Sequence, residues 1–461
     1  MTIDATLIDL APILALLYSI FLSYSSGNIY LNGVYKTMRY RNIVMSFLLS
    51  VLLFGCGESN AAIYSTESAF AALKEDGSVV TWGNKSNGGD SSNVTLQNIK
   101  TIYSNSFAFA ALNEDGRVVT WGNKPYGGNS SGVTLQNIKA IYSTKRAFAA
   151  LKEDGSVITW GGVYDDRDIL PSSVNLKNTK MIYSTGRAFA ALKKDGSVVT
   201  WGGKDRGGDS AGVTLQNIKA IYSTEHAFAA LKEDGSVVTW GGKNFGGDST
   251  GVALHNVKTI YSTGGAFAAL KEDGSVVTWG VKDDGGDGPS AALKNIKTIY
   301  SNASFFAALK EDGSVISWGE DYAASFVPSY YFVDSSDVIL KNIKTIYSTY
   351  RAFAALKEDG SVVTWGIKDD GGDGPSAELK NIKMVYSNYA AFAALKEDGS
   401  VVTWGNKKFG GDSSGVTLQN VKTIYSTERA FAALKEDGSI ITWGNKNYGG
   451  DSSDVTKSLN P

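Results

Sequence analysis

From residue 63 onward, short apolar runs alternate with polar turns, and one phrase of residues recurs along the chain. A typical copy reads IYSTERAFAALKEDGSIITWGNKNYGGDSSDV and covers Ile424 to Val455. Each copy holds one Trp, and the ten Trp residues are 39, 39, 41, 39, 39, 39, 47, 39 and 39 positions apart. A period of this length is typical of repeat proteins, in which each unit packs against its neighbours.

Each copy contains three runs of strand length. They are exemplified by Asn98 to Ser104 (NIKTIYS), Ala69 to Lys74 (AFAALK) and Ser78 to Gly83 (SVVTWG), which are rich in β-branched and aromatic residues. The last two runs are separated by a turn that contains Asp76 and Gly77. Because Asp-Gly supplies the positive φ angles of a tight hairpin, we predict that these two strands pair.

The middle run is apolar on both faces. Alternation along a strand places Phe70 and Ala72 on one face and Ala69, Ala71 and Leu73 on the other. A 39-residue unit cannot cover both faces by itself, so small sheets must stack. We therefore predict an all-β fold, a β-propeller of ten repeats with three to four short antiparallel strands each, and an open β-solenoid as the alternative. The recurrent Trp is expected to be core.

The run FAALKEDGSVVTWG, followed by a Gly-rich turn, resembles the repeat of the RCC1 (regulator of chromosome condensation) superfamily. The resemblance extends from Ile63 to Val455. The short period is closer to bacterial members with three-stranded blades, such as β-lactamase inhibitor protein II. The segment after Trp-Gly reads GGDSS instead of the family's Gly-Gln-Leu-Gly, and Ala69 replaces the usual His. The resemblance implies a β-propeller and leaves the ligand open.

The two ends of the repeat array complement each other. The first copy begins at Ala62 and Ile63 without the LQNIK lead of later copies, while Val455 to Asn460 (VTKSLN) resembles the VTLQN that precedes this lead. We expect the ends to complete one unit and close a ring, which removes exposed sheet edges. Ten blades would be more than the four to eight typical of propellers.

Residues Met38 to Cys56 have the layout of an export signal, with two Arg residues followed by an apolar run. The end of this segment, LFGC, resembles the lipobox of bacterial lipoproteins, although Phe54 departs from it. Cys56 is the only Cys of the chain. We predict a signal peptide at 38–55, lipidated Cys56 with a tether at 56–62, and the repeat domain at 63–461. Gly57 resembles the residue found in outer-membrane lipoproteins.

The segment 1–37 is predicted to be an upstream extension, with translation beginning at Met38. The alternative is that Met1 is the true start and that one or both of the apolar runs, Ala11 to Leu22 and Ile43 to Phe54, are membrane helices. Each run is shorter than the roughly 20 residues that span a bilayer.

Charge and composition exclude several classes of function. The chain has 44 Lys and Arg against 46 Asp and Glu, a balance unlike that of a nucleic-acid binder. One Cys and two His residues exclude a disulfide framework and a zinc site of the usual Cys/His type. His226 and His255 occupy different phases of the repeat, and no nucleophile or phosphate-binding motif stands out. We expect no enzyme activity, no cofactor and no nucleic-acid partner.

Seven loops carry an aspartate after Gly-Gly, and two of them read DDGGDG (283–288 and 369–374). Turn formation accounts for these residues, with calcium binding as the alternative, although the spacing matches no established calcium loop. The aspartates are Asp90, Asp209, Asp248, Asp287, Asp373, Asp412 and Asp451.

The copies differ mainly in two segments, the turn after IYS and the segment after Trp-Gly. Loops of one phase project from one face of a repeat array, and Arg, Tyr and Phe are enriched at protein interfaces. We interpret each of the two sets of variable positions as a continuous recognition surface; the alternative is ordinary solvated turns. The candidates after IYS are Arg146, Arg187, Glu225, His226, Tyr350, Arg351, Tyr389 and Arg429. The segments after Trp-Gly include 124–126, 163–168, 205–206, 244–245, 408–409 and 447–448.

The insertion between Trp318 and Trp365 is rich in aromatic residues. It is predicted either to bind a partner or to pack against the neighbouring blade. Its candidates are Tyr322, Phe326, Tyr330, Tyr331 and Phe332.

These observations favour a non-enzymatic, membrane-anchored recognition protein that binds a protein or a surface glycan. We expect a monomer in the bacterial cell envelope, attached to the outer membrane and either periplasmic or surface-exposed. A narrower version is an inhibitor of an extracytoplasmic enzyme. The resemblance to eukaryotic RCC1 proteins implies, as an alternative, a guanine-nucleotide exchange regulator of a small GTPase. A hydrolase or lyase that uses scattered acidic loop residues is the remaining alternative.

Overall fold

The computed structural model describes residues 62–162, 176–319 and 340–455. These residues form ten three-stranded antiparallel sheets, in each of which the strands are adjacent in chain order. The predicted signal, Cys56, most of the tether, the segment 163–168, the aromatic insertion and the end of the chain after Val455 lie outside the described residues. No helix within the described ranges has the length and apolar character needed to cross a bilayer.

Each sheet is one blade, and blades 1 to 10 follow the chain. The first strands are β1 (Ala62–Ser65), β4 (Ile99–Ser104), β7 (Ile138–Ser143), β10 (Thr179–Ser184), β13 (Ile218–Ser223), β16 (Val257–Ser262), β19 (Ile296–Ser301), β22 (Ile343–Ser348), β25 (Ile382–Ser387) and β28 (Val421–Ser426). The second strands are β2 (Ala69–Leu73), β5 (Ala108–Asn113), β8 (Ala147–Lys152), β11 (Ala188–Lys193), β14 (Ala227–Lys232), β17 (Ala266–Lys271), β20 (Phe306–Lys310), β23 (Ala352–Lys357), β26 (Ala391–Lys396) and β29 (Ala430–Lys435). The third strands are β3 (Val79–Gly83), β6 (Val118–Gly122), β9 (Val157–Gly161), β12 (Val198–Gly202), β15 (Val237–Gly241), β18 (Val276–Gly280), β21 (Val315–Trp318), β24 (Val362–Gly366), β27 (Val401–Gly405) and β30 (Ile440–Gly444).

In most blades a single helical turn, here called the exit helix, follows the third strand. The exit helices are Lys85–Asn87, Lys124–Tyr126, Lys204–Arg206, Lys243–Phe245, Lys282–Gly286, Lys368–Asp370, Lys407–Phe409 and Lys446–Tyr448, and a last turn covers Ser453–Val455. The glycine after an exit helix packs closely against the next blade. At Gly88, φ is 104° and a Cβ would meet the ring of Phe109. This contact explains why Gly occurs at this position of the repeat.

The second and third strands form the predicted hairpin, with Leu73 opposite Val79. Lys74 N donates to Ser78 O at 2.9 Å, and Gly77 N donates to Lys74 O at 3.0 Å. Within this turn, only Gly77 has a positive φ, of 75°. The prediction that the Asp-Gly pair supplies more than one positive φ angle is therefore wrong. The connection is a tight turn followed by a left-handed Gly, a common form of three-residue hairpin loop.

Both faces of each middle strand are covered, as predicted. One face of β2 packs Phe70 and Ala72 against Ala430 and Leu434 of blade 10. The other face packs in a cluster with Phe109 and other residues of blade 2. All members of these contacts are buried, so the core is a series of interfaces between successive blades.

The recurrent Trp is confirmed as core, because its exposed fraction lies between 2% and 8% in all ten copies. Each ring stacks on the Phe of the paired strand; Phe70 and Trp82 have centroids 5.1 Å apart. The indole also joins blades, since Trp121 Nε1 donates to Gly88 O of the preceding blade at 3.0 Å. Within the described residues, Nε1 of Trp201 and of Trp365 has no such acceptor. These two Trp residues follow the two blades that lack the Gly-Gly pair found six and seven residues after Trp in the other copies.

Blade 10 meets blade 1 through the same kinds of contact that join other pairs of blades. Trp82 Nε1 donates to Gly449 O at 3.2 Å. Ser65 Oγ donates to Ser426 O at 2.8 Å, as Ser104 Oγ does to Ser65 O at 2.7 Å. The first strands touch their neighbours around the whole ring. The repeat domain is therefore a closed ten-bladed β-propeller, and the open solenoid is wrong.

Candidate functional site

In the eight blades whose exit helix the structure describes, the first turn, which joins the first and second strands, is tied to that exit helix. In blade 1, Ala69 N donates to Thr66 Oγ1 at 2.9 Å, and Thr66 Oγ1 donates to Asn87 O at 3.2 Å. In blade 2, Asn105 replaces Thr, and its Nδ2 donates to Tyr126 O at 2.6 Å. The two variable segments predicted from the sequence thus lie at the same end of the strands. We call this end of the ring the variable face, and the opposite end, which carries the turns between second and third strands, the hairpin face.

Backbone hydrogen bonds link the first turns of neighbouring blades. Gly186 N donates to Glu225 O at 3.0 Å, and Glu225 N donates to Gly264 O at 2.9 Å. The series crosses the junction of the ring, where Glu428 N donates to Glu67 O at 2.9 Å. Because such bonds occur at eight of the ten boundaries, side chains from these neighbouring blades keep a defined spacing. The structure places all the described candidates on this face: Arg146, Arg187, Glu225, His226, Tyr350, Arg351, Tyr389 and Arg429.

Five side chains from blades 8 to 10 form a continuous row of contacts. Tyr350 stacks on Tyr389 with centroids 4.6 Å apart, and Tyr389 lies 5.8 Å from Phe409. The guanidinium carbon of Arg429 lies 5.0 Å from the Phe409 centroid and 4.6 Å from that of Tyr448. Tyr389 is 40% exposed, the one exposed large hydrophobic residue among the described residues. This aromatic row combines the residue types that most often anchor protein interfaces.

Two smaller clusters repeat this arrangement elsewhere on the variable face. In blades 2 and 3, Arg146 lies over Tyr126, with 5.2 Å between the guanidinium carbon and the ring centroid. In blades 4 and 5, His226 stacks on Phe245 at 4.0 Å, and its Nε2 lies 3.3 Å from Arg206 Nη1. Burial first, and then the charge of Arg206, lower the pKa of His226. The His226 side chain is half-buried.

The variable face also carries acidic residues close to the propeller axis. Lys145 Nζ lies 3.1 Å from Glu225 Oε2, across the glycine turn of the blade between them. Arg429 Nη2 lies 3.2 Å from Glu428 Oε1. Burial raises the pKa of Glu67, and the neighbouring Glu428 raises it further. The resulting surface has mixed charge.

Two exit-helix aspartates were missed as site residues by reasoning from the sequence. In blade 8, Asp370 Oδ2 lies 2.6 Å from Arg351 Nε, and the Asp370 side chain is 3% exposed. Asp284 holds the same position in blade 6, where the residue corresponding to Arg351 is Gly265. Burial raises the pKa of Asp284 to about 6, against the lowering effect of a hydrogen bond with Ser304. Alignment of the two DDGGDG copies together with their first turns would have revealed this difference.

The aspartates after Gly-Gly make turn contacts, as predicted. Asp90 Oδ1 accepts from Ser92 N at 2.9 Å, and four other copies show the corresponding bond. The two DDGGDG loops instead place the aspartate near a lysine, with Asp373 Oδ2 2.9 Å from Lys368 Nζ. In the part of the chain that the structure describes, no three His, Cys, Asp or Glu side chains are grouped to hold a metal ion. His255 lies in the segment that leads into β16, away from His226.

The closed ring of three-stranded blades and its single variable face define a repeat β-propeller. Its repeat resembles that of the RCC1 superfamily in having an Asp-Gly hairpin followed by a strand that ends in Trp-Gly.

No family model and no curated protein matches this chain. Among solved structures it is similar to yeast Prp20p, at 17% identity and a TM-score of 0.34, over 67% of this chain and 83% of Prp20p. It is also similar to yeast RCC1 (Prp20) bound to Kap60, at 15% identity and a TM-score of 0.33, over 79% and 92% of the two chains. The ectodomain of the Physcomitrella patens receptor kinase CR4 gives 17% identity and a TM-score of 0.35, over 57% and 74%.

Proposed function

We propose that this chain is a non-enzymatic recognition protein that binds a protein partner through the variable face. The observation that carries the proposal is the distribution of differences among the ten copies. The hairpin face repeats nearly the same Lys-Glu-Asp-Gly-Ser turn, whereas the first turns and exit helices differ from blade to blade. The buried core between blades 9 and 10 includes neither Tyr389 nor Arg429. Blade packing therefore needs neither side chain.

The chemistry of the variable face fits a protein partner. The aromatic row presents Tyr and Arg side chains whose positions are already set by stacking, so little side-chain entropy is lost when a partner binds. Acidic residues flank the row, as at Glu428. A partner with complementary apolar and charged groups would be recognised by such a mixture.

We further propose that the chain is anchored in a bacterial cell envelope by a lipid on Cys56. The support is the export-signal layout of residues 38–55 and the position of the single Cys at its end.

The anchor is tested by intact mass spectrometry of the full chain isolated from the membrane fraction. The expected species begins at Cys56 and carries acyl mass on that residue. A mature species that keeps Met38 and has no added mass at Cys56 would contradict the anchor while leaving the recognition proposal intact.

Recognition is tested by capture from extracytoplasmic extracts with the detergent-solubilised full-length protein. The variant Tyr389→Ala/Arg429→Ala should lose one or more specifically captured proteins. The matched control is Arg117→Ala, which removes an arginine from the hairpin face, where it pairs with Asp115. Capture that both variants retain, or that both lose equally, would contradict the proposal.

A further inference from the structure

The DDGGDG sequence occurs in two blades, but the surroundings of its second aspartate differ between them. In blade 8 the carboxylate of Asp370 is held by Arg351, with 2.6 Å between Oδ2 and Nε. In blade 6 the first turn reads Thr-Gly-Gly, so Gly265 stands where Arg351 stands in blade 8. Blade 6 therefore has the same carboxylate as blade 8 but lacks the guanidinium that neutralises it there.

Gly265 leaves Asp284 accessible from the variable face. A Cβ at residue 265 would meet Asp284 Oδ2, so the carboxylate lies directly over the glycine backbone. The preceding residue is Gly264, so neither of the two residues that follow Thr263 in this first turn carries a side chain. The neighbouring turns, with Glu225 on one side and Ser304 on the other, bound this gap.

The local electrostatics favour an incoming cation. The side-chain partner of Asp284 in the described chain is the hydroxyl of Ser304, which is neutral. Asp283 and Glu225 are the charged groups that act on Asp284, and both are acidic. A partly buried carboxylate beside like charges is stabilised when a cation approaches it.

We propose that Asp284 and Gly265 form a receptor for one arginine side chain of the bound partner. The arginine would take the place that Arg351 fills beside Asp370 in blade 8. Arginine is favoured over lysine because its planar guanidinium can bond a carboxylate through parallel N–H groups. This proposal rests on the proposed function, since it assigns one contact of the partner on the variable face.

The receptor is tested with N-acetyl-arginine amide as the probe and its neutral isostere, N-acetyl-citrulline amide, as the control. The carboxyl resonance of Asp284 is followed by NMR in full-length protein with ¹³C-labelled aspartate, and is assigned with Asp284→Asn. The arginine probe should lower the pKa of Asp284 from about 6 towards the ordinary value of about 4, whereas the citrulline probe should leave it unchanged. The resonance of Asp370, whose place is occupied by Arg351, should not respond to either probe.

The variant Gly265→Arg supplies the missing side chain from the chain itself. It should lower the pKa of Asp284 without any probe and abolish the response to the arginine derivative. An unchanged pKa of wild-type Asp284 in the presence of the probe, or an equal response in Gly265→Arg, would overturn the receptor. If Gly265→Arg fails to fold, the wild-type comparison of the two probes decides alone.

The failure of this receptor can be told apart from the failure of the proposed function. If Tyr389→Ala/Arg429→Ala loses the partner while Asp284→Asn retains it at full affinity, recognition stands and the arginine receptor is wrong. If the arginine derivative binds at Asp284 but no variable-face substitution affects capture, the receptor stands and the proposed function is wrong.

Discussion

The two faces of the propeller are built on the same thirty described strands but differ in how far their turns repeat. On the hairpin face, the turn between second and third strands reads Glu-Asp-Gly-Ser in eight of the ten copies, and an aspartate such as Asp76 caps it by accepting from Ser78 N at 2.9 Å. On the variable face, the corresponding first turns range from Thr-Gly-Gly to Thr-Tyr-Arg. Because the strands impose the same packing at both ends, packing does not account for the difference.

The two faces of the same repeat are constrained in different ways. The hairpin face keeps residues whose backbone conformation the fold requires, such as Gly77. The variable face keeps only the framework of Thr66-type hydrogen bonds and leaves the remaining positions open to change. Rigid scaffolds present binding loops in this way, with variable residues held by a constant framework.

The largest expected effect is that of Arg351→Met, which tests whether a variable-face residue can also be structural. The change would leave the carboxylate of Asp370 buried without its cation, and should lower the free energy of unfolding at neutral pH by about 3 kcal/mol. Thermal unfolding or denaturant titration measures the loss. The exposed pair of Arg117 with Asp115 on the hairpin face provides the control, since Arg117→Met should change stability little. Equal losses in both variants would contradict the assigned role.

A substitution on the hairpin face should act on stability alone. Gly399 has a φ of 77°, and a Cβ there would meet Asn420 Cα at 3.2 Å. Gly399→Val should therefore cost about 2 kcal/mol, because a β-branched residue is strained at positive φ. At a temperature where the variant is folded, its affinity for a captured partner should equal that of the wild type. A loss of affinity in the folded variant would break the division between the faces.

A substitution in the aromatic row should show the opposite behaviour. Tyr389→Ala removes an exposed ring that stacks on Tyr350, and should weaken partner binding about tenfold or more. Its unfolding midpoint should stay close to that of the wild type, because Tyr389 is 40% exposed. Surface-immobilised full-length protein and a captured partner give the affinity. Wild-type affinity in this variant would remove the row from the binding surface.

The smallest expected effect is a gain in stability from Asp284→Asn. Burial raises the pKa of Asp284 to about 6, so the folded state favours the protonated form, and the stability this provides is lost as pH rises through 6. The neutral amide should raise the free energy of unfolding at pH 8 by about 1 kcal/mol, a value reduced by the partial solvation of the carboxyl. Below about pH 4, where the unfolded state is protonated as well, the two proteins should be equally stable. A destabilised variant at pH 8 would show that the carboxylate is already neutralised within the chain.

Most of the fold could be predicted from the repeat itself. The alternation in residues 69–74 determined that both faces of the middle strand are buried, and the constant phase of the Trp indicated core. The number of blades in the ring could not be derived, because it depends on a small angle between blades that no single residue encodes. The complementary ends of the array were the only sequence signal of closure, and the contact of Trp82 with Gly449 supports it.

The site was predicted less completely than the fold. The variable segments were identified, but they were treated as separate sets. In a blade of three antiparallel strands, the end of the first strand and the end of the third lie on the same side, so strand order alone would have joined them. The pairing of Arg351 with Asp370 could not be derived from spacing, because the two residues meet only through the folding of the exit helix against the first turn.

The junction between blades 10 and 1 carries the same kinds of bond as other boundaries between blades. Ser65 Oγ donates to Ser426 O as Ser104 Oγ donates to Ser65 O. A circularly permuted gene that opens the chain before another first strand, such as β16, should therefore still form the bonds of this junction.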